Sequence, residues 1–252
     1  MKKVLLGLFA LSAVAMAENY FEGTNLYLKA GVDVWQDYET VSYYGETVTN
    51  DEADSLGYEI GVEVTREVLP NFELGLGLSY QDHGDTKYKK LSPYTVDESD
   101  YDDIINAEFG PDTTFDGVSS EEVKVGSYKS IPLYITGKYN IPLESNVKPY
   151  IKADLGYSFN FDETDTKYRD NVSGKINGTT PVAATLSETF NTSIDNGMYY
   201  GIGAGAEYNN FMVELMYKVN KADVEVTVGN EKISGDLDYS RVTLSFGYKF
   251  NF

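Results

Sequence analysis

The chain has no cysteine, one histidine and one tryptophan among its 252 residues. Without thiols there is no disulfide framework, no thiolate metal site and no cysteine nucleophile. Many exported small domains rely on disulfides, so this chain must be held together in another way. Basic residues are scarce too, 20 against 40 acidic ones, for a formal net charge of −20. That excludes an electrostatic surface for nucleic acid, which needs a basic face. Long apolar runs are also missing: no segment after the leader described below supplies the about 20 residues a membrane helix needs. Strands remain possible membrane elements, because a transmembrane strand shows lipid only every second residue.

What is present begins with "MKKVLLGLFALSAVAMA". Lys2 and Lys3, an apolar run over 4–14 and the small-x-small Ala15-Met16-Ala17 have the form of a secretory leader. Cleavage after Ala17 leaves one domain, 18–252, and takes the formal charge from −20 to −22 by removing the two lysines.

Period-2 alternation dominates the rest, and helical periodicity is nearly absent. Eight segments carry it: "LYLKAGVDV", "YEIGVEV", "FELGLGLSY", "IPLYITGKY", "YIKADLGYSFNF", "YYGIGAGAEY", "FMVELMYKV" and "RVTLSFGYKFNF". Pro132 in the fourth is awkward inside a sheet and places a strand start or bulge there. The connections alternate long and short. Long polar stretches at about 39–55, 81–126, 162–196 and 220–238 read as loops, while 69–71, 140–149 and Asn209-Asn210 read as turns. An even strand number with short turns at one end and long loops at the other predicts a transmembrane antiparallel up-and-down β-barrel of eight strands. Ten strands and a wider lumen follow if "DGVSSEEVKVGSY" hides a further hairpin.

The polar faces support the membrane reading over a soluble barrel with an apolar interior. They carry Asp33, Glu59, Glu63, Glu73, Asp154, Glu207 and Glu214 against Lys29, Lys138, Lys152, Lys218, Arg241 and Lys249. Seven acids against six bases is the near-balance that a narrow interior requires, because buried charges must be paired. The apolar faces tend to begin or end in aromatics such as Tyr58, Phe72, Tyr80, Tyr139, Phe159, Tyr200, Tyr208, Phe211 and Phe250, as interfacial girdles do.

The closing "RVTLSFGYKFNF", with Tyr248, Phe250 and a terminal Phe252, resembles the C-terminal signal of bacterial outer-membrane barrels. The architecture of the whole mature chain is similar to the OmpA-barrel, OmpX and opacity-type group. The resemblance implies that this end is recognised by the barrel-assembly machinery. It implies a bacterial outer-membrane location with periplasmic termini, extracellular loops, and lipid and lipopolysaccharide as neighbours.

No cofactor and no enzymatic activity are expected. His83, in "QDHGD", stands beside Asp82 and Asp85 with Ser79 nearby, and reads as an exposed loop histidine. The acidic "DESDYDD" offers Asp100, Asp102 and Asp103 as candidate divalent-ion ligands, and "NDEAD" is a second acidic run; neither fits an EF-hand. "GIGAGAE" places glycines on a strand, not in a phosphate loop. The expected function is that of a plugged barrel displaying acidic loops for surface interaction, adhesion or envelope integrity, with an extracellular or host-surface protein as possible partner. The alternative is a small porin-like channel, with an outer-membrane enzyme a more distant one.

Overall fold

The computed structural model describes residues 22–38, 42–43, 46–47, 55–100, 107, 110, 113–229 and 231–252. The leader region and most of the stretch 39–55 lie outside the described residues. Eight strands close into one antiparallel barrel: β1 (Thr24–Tyr38), β2 (Tyr58–Leu69), β3 (Phe72–Asp82), β4 (Lys129–Asn140), β5 (Val147–Phe161), β6 (Gly197–Tyr208), β7 (Phe211–Asn220) and β8 (Tyr239–Asn251). Each pairs with its neighbours in the chain, and β8 returns to pair with β1. The closure runs to the last residue, where the Gly23 amide donates to the Phe252 carbonyl at 2.8 Å.

From Leu26 the register passes through Val64, Leu76, Ile135, Leu155, Tyr200, Val219 and Ser240 and re-enters β1 at Asp37. That is eleven positions from Leu26, one of them absorbed by the bulge between Asp33 and Trp35. A stagger of about ten residues around eight strands tilts them by about 40° and leaves an interior wide enough for side chains only.

The short connections are turns at 70–71 and 209–210, where Asn71 and Asn209 adopt φ of 64° and 55°. Asparagine tolerates this left-handed region better than most residues. Pro132 lies inside β4 rather than at its start. Pairing with β3 goes from Leu78↔Leu133 to Gln81↔Ser130, with Ile131 and Pro132 left out on that side, as a residue without an N–H dictates.

The long connections differ from expectation. Among the described residues they form a seven-stranded sheet in the order Glu231–Asp236, Asp223–Val228, Thr180–Ile194, Thr166–Ile176, Phe115–Lys124 and Lys89–Lys90, with Tyr94–Asp97 also on Phe115–Lys124. These strands lead out of or into β8, β7, β6, β5, β4 and β3, in that same spatial order. The barrel wall is therefore continued beyond its loop end over six of the eight strands. The ten-strand alternative is corrected here. "DGVSSEEVK" is a strand, but it pairs with Thr166–Ile176 in the raised wall and leaves the closed barrel at eight.

Two packed regions hold the molecule. The barrel interior is polar, while Tyr38, Val125, Tyr128, Ile194, Ala222, Val224, Leu237 and Tyr239 form an apolar cluster where the barrel meets the raised wall. Higher up, Val96, Phe115, Val172 and Ile176 form a second cluster.

Candidate functional site

Alternation decides which side chains face inward. The polar residues of all eight strands point into the barrel: Lys29, Asp33, Glu59, Glu63, Glu73, Lys138, Lys152, Asp154, Glu207, Glu214, Lys218 and Arg241 are buried, and Lys249 is half-buried. They sort into three tiers along the axis.

Nearest the turns, Lys138 bridges Glu73 at 2.9 Å and Glu207 at 2.5 Å, and Lys249 reaches Glu207 at 3.1 Å. The Tyr27 hydroxyl donates to Glu207 at 2.9 Å, and the Lys138 ammonium lies 4.6 Å from the Tyr27 ring centroid.

In the middle, Glu63 accepts from Lys29 and Lys152, each at 2.5 Å, and from the Tyr134 hydroxyl at 2.8 Å. Glu214 lies 3.3 Å from Lys29 and 3.4 Å from Lys152. Asp154 is 3.6 Å from Lys152, and neither of its carboxylate oxygens has a hydrogen-bond partner. This tier holds three acids against two lysines, and Asp154 is the acid without a hydrogen bond.

Towards the loop end, Lys218 is in close contact with Glu59, and Arg241 lies 3.5 Å from Asp33 and 3.7 Å from Glu59. Asp33 also accepts from Thr243 at 2.7 Å and from Tyr239 at 3.0 Å.

Lumen tyrosines complete the filling. Tyr134 and Tyr150 lie against Gly77 and Gly205, where a Cβ would come within 2.3 and 2.4 Å of their side-chain atoms. Charged and aromatic side chains thus occupy the space that an open channel would require.

His83 is a correction. It is fully buried, not an exposed loop residue, between the rings of Tyr128 and Tyr239 at centroid distances of 4.7 and 4.3 Å. Its Nδ1 lies 3.2 Å from Arg241 Nη1, which can only donate, so the ring proton sits on Nε2 and is given to Ser130 Oγ at 2.7 Å. Ser79 instead accepts from Gln81 at 3.1 Å, Asp82 caps the Gly84 amide at 3.1 Å, and Asp85 accepts from Ser127 at 3.1 Å. A triad base needs a carboxylate behind the ring. Here a guanidinium stands there.

Asp100 is exposed in a short 3-10 turn, where its Oδ2 accepts the Asp97 amide at 2.9 Å. Asp97 accepts from the amide and hydroxyl of Ser99, which hold its carboxyl below the usual range. Asp102 and Asp103 lie outside the described residues, and no group of three metal-ligating side chains occurs among those described.

Tyr248, Phe250 and Phe252 sit on the outward face, where Tyr248 packs edge-on against Phe211 at 5.3 Å and against Phe250 at 4.8 Å. Tyr58, Tyr80 and Phe161 make the corresponding contacts at the loop end. Between these two aromatic rings the outward face is Leu, Ile and Val, as a bilayer-spanning barrel requires.

Above the lumen the inner face changes character. Along β7 and its continuation it reads Glu214, Met216, Lys218 and Asn220, then Ala222, Val224, Val226 and Val228. With Leu91, Val123, Val125, Tyr168, Phe190 and Ile233 these valines line a cavity of about 390 Å³ inside the raised wall. Glu121 and Glu188 are at its margin. Burial, and then a hydrogen bond with Glu121, pushes the Tyr168 phenol above its usual range.

Sequence reasoning missed this cavity, although "ADVEVTV" alternates as cleanly as the barrel strands do. The signal was present in segments read as loops.

A closed eight-stranded antiparallel barrel with a polar interior, an apolar belt and two aromatic girdles defines the class: a small outer-membrane β-barrel. Comparison with known proteins gives the family. The OmpW family model matches residues 53–250, and the chain belongs to the OmpW family. It is 29% identical over 254 residues to uncharacterized protein PM1543 of Pasteurella multocida (strain Pm70), covering 99% of this chain and 98% of that protein. Among solved structures it is similar to OprG from Pseudomonas aeruginosa, at 13% identity over 92% of this chain and 97% of that one, with a TM-score of 0.48. It is also similar to AlkL in lipid bilayers, at 15% identity over 93% of each chain, with a TM-score of 0.44. The protein is an integral β-barrel of the bacterial outer membrane.

Proposed function

We propose that this barrel works from its loop end as a surface-interaction protein, taking a small apolar molecule, or an apolar group of a larger partner, into the cavity of the raised wall. The cavity carries the reading. Its volume suits a small ligand, its lining is Val, Leu, Ile, Phe and Tyr, and only Glu121, Glu188 and a few hydroxyls offer polar direction.

A porin-like channel is the weaker alternative, because three tiers of mutually bonded side chains would have to separate for ions to pass. Planar-bilayer recording is expected to show no steady conductance. His83 is tied to Arg241 and Ser130, so we assign no catalytic role.

The reading places the raised wall outside the cell and both termini in the periplasm, with lipid and lipopolysaccharide around the apolar belt. It includes removal of the leader near Ala17 and recognition of Tyr248, Phe250 and Phe252 by the assembly machinery. Asp100, Asp102 and Asp103 are left as a candidate divalent-ion contact with lipopolysaccharide. Protease shaving of intact cells, with N-terminal sequencing of the mature chain, checks orientation and cleavage together.

The cavity itself is tested in nanodiscs with a photoactivatable alkyl diazirine. Labels on peptides containing Phe190 and Val226, competed by unlabelled alkane and lost in Val226→Asp, are the expected result. Labelling confined to the lipid-facing strands would remove the proposal.

A further inference from the structure

The raised wall is uneven in height. Thr180–Ile194 pairs with Thr166–Ile176 over its upper part, but on its other side only Asn191–Ile194 meet Asp223–Val228. The segment 180–190 therefore presents an open strand edge about 33 Å long among the described residues.

Open edges are normally guarded by lysines, bulges, covering segments or brevity. The far side of the same sheet is covered in this way, by Tyr94–Asp97 and Lys89–Lys90. The edge strand Glu231–Asp236 is short and carries charges. The open segment "TPVAATLSETF" has one charge, Glu188, one proline near its tip, and Leu186 exposed.

Charge selects the occupant. The chain as a whole is at −20, yet the hairpin 166–190 carries Lys167, Arg169 and Lys175 against Asp170 and Glu188. Two such hairpins approach each other without the repulsion that opposes contact elsewhere on this protein. We propose that the edge 180–190 pairs antiparallel with the same edge of a second copy, centred on Thr185. This register alone pairs the whole segment with itself. It sets Glu188 opposite Val182 and Leu186 opposite Ala184, so no like charges face each other.

Geometry then fixes where the second copy stands. The two-fold axis of an antiparallel strand pair runs perpendicular to its sheet. The sheet here continues the barrel wall, so that axis lies in the plane of the membrane. The two barrels point in opposite directions, which two molecules inserted alike in one bilayer cannot do. The pairing joins facing membranes: the edge is a homotypic adhesive contact between cells. This deepens the surface-interaction reading and rests on the loop end facing outward.

The absence of cysteine makes the test clean. Thr185→Cys is reconstituted into vesicles of which only loop-end-out molecules are scored, and treated with oxidant or a short bis-maleimide. Lys232→Cys, exposed on the other edge strand, is the control. A cross-linked dimer of the Thr185→Cys variant, formed between donor- and acceptor-labelled vesicles, is expected, together with vesicle clustering. Cross-linking of Ala183→Cys vesicles to Ser187→Cys vesicles is expected from the same register. Leu186→Lys is expected to lower clustering about tenfold without affecting barrel folding.

Three results would each overturn the proposal: no cross-linked dimer of Thr185→Cys, a Lys232→Cys dimer forming equally fast, or clustering that survives Leu186→Lys. Diazirine labelling of the cavity in the same vesicles reads the ligand-binding proposal independently, so either can fail alone.

Discussion

The same strands run through two environments, and their inner and outer faces exchange roles between them. In the barrel, Ile202, Leu215 and Leu76 look outward and Glu214, Lys218 and Lys152 look inward. In the raised wall, Lys167, Thr189 and Lys232 look outward while Val224, Val226 and Phe190 line the inside. The exchange occurs over one or two residues: Asn220 is the last polar inner residue of β7, and Ala222 and Val224 already belong to the apolar cluster. The reason is the solvent outside. Lipid rewards apolar residues on the outer face and leaves the polar ones to the lumen. Water reverses the preference, and the wall hides its apolar face within.

The largest effect that sharpens this comparison is expected in the middle lumen tier. Glu63→Ala leaves Lys29 and Lys152 with weaker or competing partners in a buried site, at a cost of about 3–5 kcal/mol. Urea unfolding in lipid vesicles measures it, and an unchanged midpoint would show that the tier is wetter than its packing implies.

Next comes the outer face, tested with one substitution in both regions. Leu76→Lys, in mid-barrel, is expected to cost about 2–4 kcal/mol. Thr189→Lys, outward on the raised wall, is expected to stay within about 0.5 kcal/mol. Equal costs would erase the distinction between lipid and water.

A smaller, local effect follows from reversing the inner face. Val226→Asp is expected to destabilise the wall by about 1–3 kcal/mol. Amide exchange should accelerate over 223–236 and stay unchanged in β1 to β8.

The smallest effect is set by pH. Asp223 and Asp236 face each other across the hairpin, and burial, then the shared hydrogen bond and the charge of Asp236, raise the Asp223 pKa. A raised carboxyl contributes fully below the ordinary aspartate range of about 3.9 and loses that contribution as pH climbs through its folded-state value. Protection of the hairpin amides should therefore decline from about pH 4 upward. The decline should be shallower in Asp236→Asn.

The barrel was legible because one rule governs it throughout. Each of the eight segments read from the sequence alternates, and a slip within one would put Lys152 or Glu214 into lipid. The lumen acids and bases were legible for the same reason. Their partners were not: alternation says that Glu63 points inward, but only the stagger of the strands brings Lys29 and Lys152 to it. The lumen tyrosines Tyr150 and Tyr199, both buried, went unassigned because each opens its segment, ahead of the residues whose alternation sets the faces. His83 was misread because "QDHGD" is polar in sequence, and its burial depends on Tyr128 and Tyr239, far away in the chain. The raised wall was missed because its strands mix Glu, Lys, Thr and Ser with the valines, the composition of a loop.

Sequence alone determined the inward and outward faces and marked the last strand as a closing one, since both follow from local period-2 chemistry. Tertiary structure decided between eight strands and ten, which charges meet, that the long connections rise as a sheet and that this sheet lines an apolar cavity. These depend on register around a closed cylinder, and register is a property of the whole circuit rather than of any one segment.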